Sequence, residues 1–259
     1  MDALILAAGF GSRLAEAFPS KPLATVRGVS LLELSVRQLV QAGVRRIVVA
    51  TGHRAQEVEA AIEDIAQRWS VEILARRVDD WSKPNGFSVL AGAAELRDHF
   101  YLVMCDHILS TSILCGLREA KGKDHDVTLA VDRRTSSPLI DPDDATWVGL
   151  RDNGFIERIG KHISERHAVD CGAFVATPAL AKAIEKAIEK GLPGSLSDGM
   201  QILADLGRAS TFDIGDAWWI DVDDPAAHSL AEAQIEDHID IAQRTCSAAE
   251  QVDLTMRRP

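Results

Sequence analysis

The chain opens on a short unbroken apolar run, Ala3-Leu-Ile-Leu-Ala-Ala8, stopped by Gly9. A run of this length without polar alternation is the pattern of a strand buried on both faces. A glycine-rich loop follows, and then apolar residues recur at Leu32, Val36, Leu39 and Val40, closed by Gly43 as a helix C-cap. Arg46–Ala50 reads as a second buried strand, and Val58, Ile62, Ile65 and Trp69 as the apolar face of a second helix. Residues 71–75 form a third strand, 88–97 a third helix and 100–105 a fourth strand. Strand and helix alternate at every step, which predicts a parallel sheet covered by helices on both faces. In such sheets the ligand lies at the carboxyl ends of the strands.

The second half breaks this rhythm. Strands are expected at 127–131, 146–150, 155–159 and 169–176 with only loops between them, and Asn153-Gly154 is a hairpin turn signal. Helices at 178–190 and 197–206 precede strands at 210–214 and 218–221. From Asp224-Pro225, an N-cap followed by proline at the first helical position, a last helix carries Ala227, Ala231, Ile235, Ile239 and Ala242 on one face. No repeat or low-complexity linker interrupts the pattern. The chain divides into an α/β body, 1–224, and a helical tail, 225–259, whose apolar face suits packing on its own domain or pairing with a second copy as a homodimer.

Composition narrows the class. Of the 259 residues 46% are hydrophobic and 26% charged, the balance of a soluble globular protein with a sizeable core. No apolar run exceeds six residues, whereas a membrane-spanning helix needs about twenty, and the first run lacks the basic start of a signal peptide. The net charge of −11 opposes extended binding to nucleic acid or anionic lipid, while leaving room for a local phosphate pocket. Cys105, Cys115, Cys171 and Cys246 are widely spaced, as expected of reduced thiols in a cytoplasmic protein.

The candidate chemistry begins at Gly9-Phe10-Gly11-Ser12-Arg13. A dinucleotide fingerprint needs a third glycine where Leu14 stands, and a P-loop needs G-x-x-x-x-G-K-[ST], which is absent. A purely structural glycine turn is the competing reading. Glycines let backbone N–H groups turn toward an anion, and Arg13 and Lys21 would add positive charge for a phosphate chain.

Leu6-Ala-Ala-Gly-Phe-Gly-Ser-Arg-Leu14, with Lys21-Pro22-Leu23 behind it, resembles the signature of nucleotidyltransferases that use nucleoside triphosphates to activate sugar and polyol phosphates. Met104-Cys105-Asp106-His107, Pro84-Asn85-Gly86-Phe87-Ser88, Asp144-Ala145-Thr146 with Val148, and Ile159-Gly160-Lys161 with Asp170-Cys171-Gly172 resemble segments of the CTP:inositol-1-phosphate cytidylyltransferases within that family. The resemblance runs from about residue 3 to residue 230. It implies the nucleotide-diphospho-sugar transferase (glycosyltransferase-A-like) fold, a Rossmann-like, mixed but mainly parallel sheet with helices on both faces. It departs from the family at Pro84, where glycine usually precedes the asparagine, and at Cys105, where a small residue is usual.

By the same resemblance, Arg13, Lys21, Asp106 and Asp221 are the catalytic residues, and Asp106 and Asp221 bind magnesium. Ala7, Ala8, Gly9, Gly11, Ser12, Arg13, Lys21, Gly52, Asn85, Gly86 and Ser88 hold CTP. Lys161 and Asp170 hold the phosphate and hydroxyls of inositol 1-phosphate or a related polyol or sugar phosphate. Asp223 and Asp224 are expected to cap the last helix, and the acidic run Asp141-Pro-Asp-Asp144 to be a solvated turn. His53, His162 and His167 lack metal-ligand spacing. Many relatives continue into a membrane-embedded CDP-alcohol phosphotransferase, which for this chain is expected on a separate polypeptide. A sugar-1-phosphate or phosphocholine nucleotidyltransferase using UTP, dTTP or CTP keeps the same chemistry. A nucleotide-binding regulatory subunit without turnover is the reading from another class, disfavoured by the joint presence of Arg13, Lys21, Asp106 and Asp221.

Overall fold

The structure is a computed structural model and describes residues 1–122 and 125–239. Its strands are β1 (Asp2–Ala7), β2 (Thr25–Val26), β3 (Val29–Ser30), β4 (Arg46–Thr51), β5 (Glu72–Arg77), β6 (Phe100–Met104), β7 (His107–Leu109) and β8 (Val127–Asp132). They continue as β9 (Trp147–Leu150), β10 (Ile156–Gly160), β11 (Ala168–Ala176), β12 (Ala209–Asp213) and β13 (Trp219–Asp221). The helices are α1 (Leu31–Gln41), α2 (Ala55–Trp69), α3 (Gly86–Ala93), α4 (Thr111–Ala120), α5 (Ala179–Glu189), α6 (Leu196–Asp205) and α7 (Pro225–His238).

A nine-stranded sheet runs β10-β9-β11-β6-β1-β4-β5, with β8 also paired to β11 and β12 to β8. The pairs β1–β4, β1–β6, β4–β5 and β8–β12 are parallel, and β11 is antiparallel to β6, β8 and β9. Only β10 and β11 therefore run against the other strands. The apolar runs read as predicted because both faces are covered. Ala3, Ile5 and Ala7 of β1 enter one core with α1, α2, α4 and α7. Leu4 and Leu6 enter the other with α3, α5 and α6. Each fully buried Leu or Ile side chain contributes about 1.5–3 kcal/mol.

Three local outcomes differ from the sequence reading. The third helix ends at Ala93 instead of 97, where Glu95 and Leu96 N–H bond back three residues in a turn, and the Glu95 carboxylate is held by Arg76. Of α4, only the start near Ser110-Thr111 is legible in sequence. The short β7, which the pattern does not predict, pairs antiparallel with β13 and sets Asp221 opposite His107. The last helix is capped as expected, Asp224 accepting from Ala227 N–H at 2.8 Å. Its Ala231 and Ile235 are buried against the body, so the described part of the tail packs on its own domain. Ala242, Cys246 and the rest of the expected tail lie outside the described residues. Among those residues, no helix is long and apolar enough to cross a membrane, and Cys105, Cys115 and Cys171 are free thiols.

Candidate active site

Two cavities open at the carboxyl ends of β1 and β6. The smaller, about 290 Å³, is walled by Ala7, Ala8, Gly9, Gly11, Lys21 and Ser88. The larger, about 430 Å³, is walled by Arg13, His107, Asp144, Lys161, Asp170 and Asp221 among others. Asn85, Met104, Asp106 and Asp223 line both, so the two spaces meet at the Asp106 carboxylate.

Local chain geometry positions the smaller cavity. Gly11 takes φ +63, and a Cβ there would lie 2.5 Å from the Lys21 Cβ. Only glycine lets the loop turn this way while lying on the lysine stem. Lys21 is thereby buried, at 7% exposure, and its ammonium pairs with Asp106 and Asp223. Arg13 reaches the other way, to Asp144 and Asp223, and Lys161 also pairs with Asp144.

The β7–β13 pairing organises the larger cavity. Asp132, buried at 1%, accepts from the Trp219 indole N–H at 2.9 Å and is paired with Arg134, which anchors β13. The Trp219 ring stacks on His107 with centroids 5.6 Å apart. His107 Nδ1 donates to the Cys171 carbonyl at 2.8 Å and turns Nε2 toward Asp221, at 3.5 Å. Gly172, at φ +71, makes room, since a Cβ there would lie 2.4 Å from His107 Nδ1. The β11–β8 register shifts between Asp170 and Phe174. Asp170 is the last paired residue before this bulge and lines the cavity, where Gly172 N–H donates to its carboxylate at 2.7 Å.

The ionisable groups are strongly coupled. Burial disfavours charge on Asp106, but Lys21 and His107 outweigh it and hold the carboxyl below its ordinary range. Asp221 moves the other way, raised by burial and by the charge of Asp106 against the pull of His107. Burial pushes Asp170 up to about 6. For His107 burial opposes the charged form, but Asp221, Asp106 and Asp170 prevail and raise it.

Residues 3–194 match the MobA-like NTP transferase domain. The chain belongs to the MobA-like NTP transferase family. A protein of Rubrobacter xylanophilus described as a bifunctional IPC transferase and DIPP synthase is 36% identical over 238 residues, covering 91% of this chain and 52% of that one. One of the same description from Aquifex aeolicus is 29% identical over 227 residues, 86% of this chain and 49% of that one. The chain thus spans about half the length of these relatives. The inositol-1-phosphate CTP transferase from T. maritima superposes with a TM-score of 0.74 at 26% identity, over 90% of this chain and 96% of that one. A UDP-glucose pyrophosphorylase complexed with UDP-glucose shares the fold, with a TM-score of 0.75 at 16% identity over 91% of this chain and 98% of that one.

In this NTP transferase domain most residues singled out from the sequence converge on the two cavities, with exceptions. Ser12, Gly52 and Gly86 line neither. Gly86 is a packing glycine, whose Cβ would lie 2.1 Å from the Gly194 carbonyl oxygen, and Gly52 likewise lies tight against Ala8 and Trp81. Asn85 lines both cavities, but its Oδ1 already accepts from Leu196 N–H at 2.9 Å, tying the loop to the start of α6. Arg13 lies on the wall of the larger cavity, not of the smaller. Asp223 does not cap α7. Its carboxylate turns to Lys21 and Arg13, because β13 delivers it beside the glycine loop. Asp144 is likewise no solvated turn residue but the shared partner of Arg13 and Lys161. The strand-start likeness at Asp144-Ala145-Thr146 is the one sequence signal that points to it. His107 both bonds the Cys171 carbonyl and lines the larger cavity.

A divalent cation fits the donor set. Asp106 Oδ1 and Asp221 Oδ1 are buried with no hydrogen-bond partner, and ligand atoms of Asp106, His107 and Asp221 lie within 4.8 Å of one another. Unpaired buried carboxylate oxygens are unfavourable unless a cation completes them, and oxygen-rich sets suit magnesium. Across the two cavities, seven carboxylates (Asp106, Asp141, Asp144, Asp170, Asp221, Asp223 and Asp224) face four Lys and Arg cations (Arg13, Lys21, Lys83 and Lys161). Such a site repels phosphate groups unless added positive charge accompanies them.

Proposed function

We propose that this chain is a magnesium-dependent cytidylyltransferase that transfers CMP from CTP to inositol 1-phosphate, giving CDP-inositol and pyrophosphate. The observation that carries the reading is the junction of the two cavities at Asp106, with the unpartnered oxygens of Asp106 and Asp221 beside it. The choice of CTP and inositol 1-phosphate rests on the T. maritima neighbour, whose name states both.

An oxygen of the acceptor phosphate attacks the α-phosphorus of CTP. The new P–O bond forms as the bond to the bridging oxygen of the β-phosphate breaks, and its electron pair leaves with pyrophosphate. A phosphomonoester with a second pKa near 6 is already an anion at neutral pH, so no general base is needed. The barrier lies in bringing two anions together and in charge building on the leaving group. Asp106 and Asp221 would hold magnesium, which would supply neutralisation of phosphate charge. Lys21, in the wall of the smaller cavity, and Arg13, which reaches Asp223 at the wall the two cavities share, take up charge on the pyrophosphate side. Both exchange carboxylate partners for phosphate oxygens as substrate enters. Lys161 draws the acceptor phosphate into the larger cavity, and Asp170 accepts hydrogen bonds from ring hydroxyls. A cytoplasmic setting, with its cysteines kept as thiols, belongs to this reading. So does consumption of CDP-inositol by a CDP-alcohol phosphotransferase on this or another polypeptide. A phosphocholine acceptor gains no support from the larger cavity, where Trp219 is buried and stacked on His107 and Phe174 is fully buried.

Pyrophosphate release tests the reading, with CTP, UTP, dTTP, ATP and GTP each offered against inositol 1-phosphate, glucose 1-phosphate and phosphocholine in the presence of magnesium. Turnover is expected with CTP and inositol 1-phosphate. Turnover confined to another pair would discard the substrate assignment. Nucleotide binding without any turnover would point to a regulatory subunit. Within the active pair, Lys21→Ala should lower kcat by about a hundredfold, as loss of one transition-state donor does.

A further inference from the structure

Phe10 and Trp81 are exposed at 43% and 42%, unusual for side chains of their size, and they lie together. With His53 they form an aromatic trio that joins the smaller cavity through Trp81. Phe10 and His53 meet edge to face with centroids 4.7 Å apart, His53 and Trp81 at 5.1 Å, and Phe10 and Trp81 at 6.1 Å. Each ring comes from a different segment, namely the glycine loop, the loop after β4 and the loop after β5. Trp81 is the member of the trio that lines the cavity.

The arrangement is built. His53 N–H donates to the Ala8 carbonyl at 2.9 Å, joining the loop after β4 to the glycine loop. Gly52 allows Trp81 to close down, since a Cβ at that position would lie 2.6 Å from the Trp81 Cβ. The Trp81 loop is itself held by Asp80, whose carboxylate accepts from Ser82 N–H at 3.1 Å and from Ser82 Oγ at 2.5 Å. A preorganised, half-exposed indole in the wall of a cavity has a free apolar face and needs no loop ordering to receive a flat ligand. Gly9, Gly11 and Lys21 line the same cavity as Trp81, so phosphates bound by the loop and the lysine would leave the indole face for the heterocycle.

Resting on the nucleotide reading of this cavity, we propose that Trp81 is the base-stacking residue of the enzyme, with Phe10 and His53 as positioning residues that hold its ring. Stacking reads the π-face that every base has. Trp81 therefore strengthens binding of pyrimidine nucleotides in general and leaves the choice between cytosine and uracil to other groups.

The test is calorimetric titration of the full chain with CTP, UTP and inorganic tripolyphosphate, with magnesium and without acceptor. Trp81→Ala should weaken CTP and UTP alike by about tenfold or more, leave tripolyphosphate within about twofold, and be largely rescued by Trp81→Phe. CTP should also quench indole fluorescence in the native chain and lose most of that quenching in Trp81→Phe. Unchanged CTP binding in Trp81→Ala overturns the proposal, as does an equal loss for tripolyphosphate or a loss confined to CTP. Failure of the native chain to bind any nucleoside triphosphate would remove the nucleotide reading itself, and the stacking role with it.

Discussion

The two cavities that meet at Asp106 are made in different ways. The smaller is walled largely by short stretches at strand ends, 6–11 at the end of β1, 81–88 after β5 and 104–106 at the end of β6, with Ala7, Ala8, Gly9, Gly11 and Ser88 among its small residues. The larger draws on 138–146, 161, 169–174, 196–197 and 219–230, and it is walled by ionisable groups in pairs that span 131 residues for Arg13 and Asp144 and 17 for Lys161 and Asp144. A cradle of backbone amides needs only a glycine turn in the right place. A cavity that tells one phosphorylated acceptor from another needs opposite charges at defined separations, and these come only from the packing of distant strands.

The sharpest way to break this contrast is at the shared wall. Asp106→Asn should lower kcat by about 100–1,000-fold with modest change in either KM, measured by steady-state pyrophosphate release. Near-normal turnover would mean that the reacting phosphorus does not lie where the cavities meet.

Next in size is the burial of charge on the acceptor side. Asp170 is pushed up to about 6, above its ordinary value of 3.8, so the folded state holds its proton more tightly than the unfolded chain. Its contribution to stability is therefore lost as pH rises from about 4 to about 6. Asp170→Asn keeps an acceptor for Gly172 N–H and should stabilise the fold by at most about 3 kcal/mol near pH 7.5. The gain should shrink below about 1 kcal/mol near pH 4, with urea unfolding at the two pH values as the measurement. An equal gain at both would show that the effect is not electrostatic.

Lys161→Met should raise the KM for the acceptor about tenfold and leave that for CTP unchanged, in line with the loss of one charge-assisted hydrogen bond. A rise in both would merge the two cavities into one binding unit. The smallest effect belongs to the seam between them. Ser195 Oγ accepts from Asp198 N–H at 3.1 Å, and the Asp198 carboxylate accepts from Ser195 N–H at 2.8 Å, forming a capping box at the start of α6, where Asn85 is also tied. Ser195→Ala should cost about 1 kcal/mol of stability, read by thermal unfolding. A change in KM for CTP would show that this cap also sets the position of Asn85.

The sheet was largely legible because burial on both faces forces continuous apolar runs, and the helices because their apolar stripes repeat every three to four residues. The glycine loop and Asp106 stood out for a related reason, since each directly follows such a run, while Lys21 was legible through its place in the family motif. Asp223 and Asp144 were misread. Judged by its neighbours in sequence, an aspartate before a proline-led helix looks like a cap, and an aspartate in an acidic loop looks solvated. What changes their meaning is contact with Lys21, 202 positions from Asp223, and with Arg13, 131 positions from Asp144.

Periodicity and turn chemistry are properties of neighbouring residues, so the chain alone carries the fold class, most of its elements and the phosphate-loop signature. The junction of the cavities depends on β7 and β13, each three residues long and separated by more than a hundred. No local propensity brings two such strands together. Their pairing exists only once both faces of the sheet are packed. That pairing sets Asp221 opposite His107 beside two unpartnered carboxylate oxygens, the arrangement on which the proposed cation site rests.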